Sequence, residues 1–98
     1  MGSWTYLTNH SHVLFCLADN PTARLRDVAR DVGITERAVQ MIVHDLEDAG
    51  VLSHRREGRR NVYTVSPDQP LRHPVEAHRT ARDLLRLLSK GDEGAVDA

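Results

Sequence analysis

A chain of 98 residues with a formal net charge of −1, 28% charged and 40% hydrophobic side chains, describes a soluble globular protein with one modest core. It is not broadly basic, so any affinity for nucleic acid has to come from a local patch rather than from the field of the whole molecule. No run approaches the roughly eighteen apolar residues of a membrane span, and the single cysteine, Cys16, excludes an intrachain disulfide and a thiolate metal cluster within one subunit.

At the amino terminus, Tyr6 occupies the sixth position, where a myristoylation signal wants Ser or Thr. The apolar run from Val13 to Ala18 is too short for a signal peptide and lacks a basic segment before it, so a cytoplasmic location is expected. That run sits in a helix predicted over about Asn9 to Asp19, with Val13, Leu14 and Leu17 on one side and Phe15 on the other. A helix apolar on two sides needs cover on both, which a single small domain does not supply, so Phe15 is assigned to a subunit interface. Cys16 lies in apolar surroundings that raise a thiol's pKa, and its expected role is packing. The pairs His10 and His12, and His73 and His78, lack the i, i+4 spacing of a helical zinc site; no metal and no cofactor are expected.

The next element is short. Leu25, Val28, Ala29 and Val32 recur at i, i+3, i+4 and i+7, one face of a helix, and Gly33 follows where a left-handed cap ends a helix without a Cβ clash. Thr35 then offers its hydroxyl to the free amides of a second helix, and Glu36 in its first turn is favoured by the helix dipole. This helix is predicted from Glu36 to Ala49, stopped by Gly50, with a core stripe of Val39, Ile42, Val43 and Leu46. At 100° per residue, Arg37, Gln40, Met41 and His44 project together from the opposite side. Arg pairs with guanine and Gln with adenine through bidentate hydrogen bonds in a major groove, and methionine can lie against a thymine methyl. An ordinary solvated helix also carries such residues outside, so the neighbouring element has to decide.

That element is the stretch from Leu52 to Val65, two candidate strands around a Gly-containing turn, with Arg55, Arg56, Arg59 and Arg60 crowded at one tip against the single Glu57. Cations so placed suit phosphates, each neutralisation releasing counterions, and Asn61 stands beside them. A hairpin that merely blunts its edge with charge is the alternative, and four arginines at one tip weigh against it. The second strand does not alternate cleanly, which leaves open whether Val62, Tyr63 or Val65 points inward.

From Leu25 to Val65 the sequence resembles the winged helix-turn-helix domain of bacterial transcriptional regulators, closest to small MarR and ArsR-like groups. The resemblance rests on Gly33-Ile34-Thr35, three residues, then Val39, together with Leu46-Glu47-Asp48-Ala49-Gly50-Val51-Leu52. It implies a mainly α fold with a small β-hairpin wing and flanking N- and C-terminal helices. It further implies that the helix from Glu36 is the recognition helix and that Arg55 to Arg60 form the wing. Met41 departs from the polar or basic residue usual at its position.

After a linker from Ser66 to Pro74, a helix is predicted with Ala77, Ala81, Leu84, Leu85 and Leu88 at i, i+4, i+7, i+8 and i+11, its other side charged by Arg79, Arg82, Asp83 and Arg86. This stripe is assigned to self-association, with packing on its own domain as the alternative. The chain thus divides into residues 1–66, an arm, helix and winged helix-turn-helix; 67–90, linker and dimerisation helix; and 91–98, small, acidic and expected to be disordered.

These readings converge on a homodimeric, sequence-specific binder of double-stranded DNA that blocks or recruits polymerase. The DNA-binding set is Thr35, Glu36, Arg37, Gln40, Met41, His44, Arg55, Arg56, Arg59, Arg60 and Asn61; the dimer set is Phe15, Ala77, Ala81, Leu84, Leu85 and Leu88. An unknown small-molecule effector would sit at the dimer seam near Phe15, Trp4 or Tyr6. The alternative is a winged helix that binds proteins and not DNA. An enzyme is not expected, since no catalytic constellation and no phosphate loop is present.

Overall fold

A computed structural model describes residues 3–90 of the protein. The elements run α1 (Asn9–Asp19), α2 (Leu25–Val32), α3 (Glu36–Asp48), β1 (Leu52–Glu57), β2 (Arg60–Val65) and α4 (Ala81–Leu88). The mainly α architecture with one hairpin is the one expected from the sequence.

Three helices build the core because each turns one apolar stripe to the same centre. Val13, Leu14 and Leu17 from α1 meet Val28 and Ala29 from α2 and Val39, Ile42, Val43 and Leu46 from α3, all buried in one cluster with Leu52 and Tyr63 of the hairpin. Leu17, Val13, Val28 and Val39 are its fully buried centre. Phe15 and Cys16 are only partly covered.

The turn between α2 and α3 depends on Gly33, whose φ of 87° is left-handed backbone. Its N–H and that of Ile34 both donate to the Ala29 carbonyl, 2.8 and 3.0 Å, closing the end of α2. Two residues later Thr35 accepts from the Ala38 N–H at 3.0 Å and starts α3. Helix α3 ends one residue earlier than the sequence suggests, with Ala49 as its cap and Gly50 at φ 79° beyond it.

β1 and β2 pair antiparallel with Leu52 opposite Val65, His54 opposite Tyr63 and Glu57 opposite Arg60. The register settles the inward question: Tyr63 is buried, Asn61 and Val65 on the same face are partly covered, and Arg55 faces Val62 across the ladder.

The carboxy-terminal helix corrects an expectation. It begins at Ala81, not before Ala77, and Ala77 is exposed in a turn. The reason lies in competing backbone bonds: the Leu71 N–H donates to Arg79 (2.8 Å) and the Ala81 N–H to Gln69 (2.9 Å), a bridge between Pro70 and Thr80 that commits groups a longer helix would need. Thr80 then caps α4 reciprocally with Asp83, a capping box. Ala81 is buried, and Leu84 and Leu85 are packed against the core of their own chain, while Leu87, absent from the predicted stripe, is 74% exposed. Ala77 therefore shares no helical stripe with the leucines, and Ala81 is enclosed by its own chain. The expectation for residues 91–98 lies outside the described residues. No helix among the described residues is long and apolar enough to cross a membrane.

Candidate nucleic-acid interface

The stripe that anchors α3 in the core fixes what its other side displays. Arg37, Gln40, Met41 and His44 are all exposed and, with Asp45, line one shallow, open concavity of about 440 Å³. Among the described residues neither the Arg37 nor the Gln40 side chain has a polar partner, so their donors and acceptors are turned outward without an internal competitor. Met41 is 63% exposed, an unusual position for a methionine that nothing covers. His44 Nδ1 lies 3.6 Å from Asp48 Oδ2 one turn on, a loose pair on the same surface.

Thr35 and Glu36 stand at the start of this helix but are not alike. The Thr35 hydroxyl caps the helix through Ala38, whereas Glu36 is exposed in the first turn, where its charge favours the helix and opposes a phosphate.

The wing arginines separate into different roles. Arg55 holds Glu57 through Nη2 at 2.7 Å and Nε at 3.1 Å. The Arg56 Nε donates to the Gly58 carbonyl at 3.4 Å across the turn. Arg60 turns back to the body and donates from Nη1 to the Thr22 carbonyl at 2.7 Å. Arg59 alone of the four has no partner among the described residues. Asn61 is partly buried, and its side-chain amide donates to the Tyr63 hydroxyl at 3.5 Å, on the inner face of β2 and not at the tip.

A feature that the sequence did not reveal is the acidic second half of α3 and its three histidine partners. Asp45 meets His10 of α1 (3.0 Å), Glu47 meets His54 of β1, and Asp48 meets His44. His10 and Asp45 are 35 residues apart, and no local spacing announces such a pair. The second half of α3 thus presents carboxylates, which repel phosphate. Among the described residues no cluster of His, Cys, Asp or Glu could hold a metal ion.

A second hollow, about 690 Å³, opens between the start of α1, the end of α3 and the segment leading into α4. Leu14, Leu46 and Leu84 form its floor; His10, Asp45, Arg72 and Glu76 stand at its rim. Trp4 and Tyr6 do not line it. They pack edge to face on each other at 5.0 Å and are exposed, 72% and 92%. Cys16 also lies apart from it, and burial, then the charges of Asp31 and Asp19, push its thiol above the ordinary value.

Residues 8–53 match the family described as winged helix-turn-helix DNA-binding. No curated protein matches the chain significantly. Solved structures do: the MarR family protein Rv2887 of Mycobacterium tuberculosis, in complex with salicylic acid, is 24% identical with a TM-score of 0.55 over 83% of this chain and 54% of that one. The PcaV transcriptional regulator of Streptomyces coelicolor, in complex with its natural ligand, is 24% identical with a TM-score of 0.55 over 98% of this chain and 72% of that one. BpsR of Bordetella bronchiseptica, whose DNA binding is regulated by 6-hydroxynicotinic acid, is 21% identical with a TM-score of 0.53 over 93% of this chain and 63% of that one. The chain spans about half the length of the first of these, and the likeness to all three is one of fold.

Proposed function

We propose that this chain, whose residues 8–53 match the winged helix-turn-helix DNA-binding family and whose fold is like that of the MarR-type structures, is a cytoplasmic, sequence-specific reader of double-stranded DNA that regulates transcription as a homodimer. The observation that carries the reading is the outward set on α3: Arg37, Gln40, Met41 and His44 share one concavity, and the groups of Arg37 and Gln40 that can address base edges have no internal partner. Arg56 and Arg59 at the wing tip supply the charge that meets phosphate, which gives affinity without sequence information.

Dimerisation is supported by the exposed Leu87 and the partly covered Leu88 on α4 and by partly covered Phe15 on α1. Two copies would set two α3 helices into successive major grooves, so half-sites should lie about 10 base pairs apart or a multiple of that. An effector belongs to the same reading: two of the similar proteins were solved with a ligand and a third is regulated by one. The 690 Å³ hollow falls in the size range of ligand sites, roughly 300–1,000 Å³, and Asp45 joins its rim to α3.

Selection of bound fragments from a random duplex pool tests the whole. Enrichment of a two-fold symmetric site supports the proposal. Failure of the protein to retain any duplex at low salt rejects it and leaves a winged helix that binds another protein, the reading which the net charge of −1 would then favour.

A further inference from the structure

Arg60 opens β2 immediately after the wing turn, where a guanidinium beside Arg59 would ordinarily face solvent. Its Nη1 instead reaches the Thr22 carbonyl at 2.7 Å, across 38 residues of chain. On the same strand the Tyr63 N–H donates to the Pro21 carbonyl at 2.9 Å, so two neighbouring carbonyls of one loop receive two donors of one strand. The loop is itself braced, with the Ala23 N–H on the Asn20 carbonyl at 3.0 Å and the Thr22 hydroxyl on the Asn20 side chain at 3.3 Å. It leads directly into α2, and α2 into the Gly33 turn that sets α3.

We infer that Arg60 is a positioning residue which fixes the wing relative to the α2–α3 pair through the Thr22 carbonyl, and is not one of the wing's phosphate contacts. A charged donor on a carbonyl is stronger than a neutral one and keeps a defined direction. Beyond their own ladder, the strands are held further down by the buried Leu52 and Tyr63, by the Tyr63 N–H on the Pro21 carbonyl, by the Ser66 N–H on the Val51 carbonyl at 2.8 Å and by His54 on Glu47. Among the described residues, only the Arg60 bond fastens the hairpin to the body at the residue next to its turn. The inference rests on the DNA-reading proposal for its purpose, but the bond itself can be tested without DNA.

The test uses the full chain, as wild type and as Arg60→Met, Arg60→Lys and Arg59→Met, with two measurements. In the first, amide hydrogen exchange without DNA, Arg60→Met is expected to speed exchange at Tyr63 at least tenfold while leaving Leu17 in the core unchanged. Arg60→Lys, which keeps a donor on a flexible stem, should restore most of the protection, and Arg59→Met should not disturb it. In the second, titration of a random-sequence duplex pool at several salt concentrations, Arg59→Met should lower the slope of log affinity against log salt by about 0.9, one phosphate contact. Unchanged Tyr63 exchange in Arg60→Met together with that same loss of slope would overturn the inference and make Arg60 a phosphate contact. Equal acceleration at Tyr63 and Leu17 would overturn it as well, by showing a general loss of stability. Should the wild type retain no duplex, the DNA-reading proposal fails, and the exchange data still decide whether Arg60 holds the wing.

Discussion

Nε2 of His10, in the first turn of α1, stands 3.0 Å from Oδ2 of Asp45 on α3. The pair ties the amino-terminal helix to α3, at the rim of the larger hollow. Both side chains are about half exposed or more, 48% and 63%, so water screens the attraction. His10→Ala is therefore expected to lower stability by no more than about 0.5 kcal/mol. Leu17→Ala, which empties the fully buried centre of the core, should cost about 2–5 kcal/mol. Urea denaturation midpoints of the two variants check the contrast.

Thr35 is expected to matter through its hydroxyl on the Ala38 N–H and not through DNA. Thr35→Ala should cost about 1 kcal/mol of stability, and Thr35→Ser should recover most of it. Thermal unfolding of the two variants measures this, with similar losses of affinity for preferred and unrelated duplexes as the companion result.

Gln40 and the wing tip should separate on DNA. Gln40→Ala is expected to relax preference at one base pair, narrowing discrimination there by about 1–3 kcal/mol. The double variant Arg56→Ala, Arg59→Ala should weaken preferred and unrelated duplexes alike and flatten the salt dependence. Competition titrations at two salt levels would show it, and equal loss of preference in both variants would sink the division of labour.

Asp83 gives α4 a pH dependence of definite sign. The Thr80 backbone N–H above all holds its carboxyl below the ordinary range; desolvation opposes this, and the Thr80 hydroxyl and the charges of Arg79 and Arg86 add to the lowering. A carboxylate with a lowered folded value contributes its stabilisation fully above its unfolded value and loses it as pH falls through the folded one. Exchange protection in α4 should accordingly be flat near neutrality and fall below about pH 4. Asp83→Asn should show less of this fall, measured by amide exchange in α4 against α1.

Cys16 should react slowly with iodoacetamide at neutral pH, because partial burial and neighbouring carboxylates disfavour the thiolate. Mass spectrometry of the folded and urea-unfolded protein would show the acceleration on unfolding.

The sequence shows the three core helices nearly to the residue because their signals are local. The 3.6-residue stripes, Gly33 and Thr35 each act within one or two turns of themselves. The exposed set on α3 follows from the same periodicity. The late start of α4 was hidden because Ala77 fits the stripe, while the bonds joining Leu71 to Arg79 and Gln69 to Ala81 are backbone pairings with no side-chain signature. The histidine partners of Asp45 and Glu47, and the bond from Arg60 to Thr22, connect elements distant in the chain. Charge counting at the wing therefore grouped four arginines that the fold puts to different uses.

The attachment of β2 to the Pro21–Thr22 loop also bears on how the molecule assembles. A lone two-stranded hairpin is marginally stable in water. Here its far end is secured by a contact closing a loop of 38 residues, whose entropy has to be overcome before that contact forms. Helices α1 to α3 can gather first by shorter-range encounters, and the hairpin would consolidate late. Mechanical or chemical stress should release it early, before the helical body gives way.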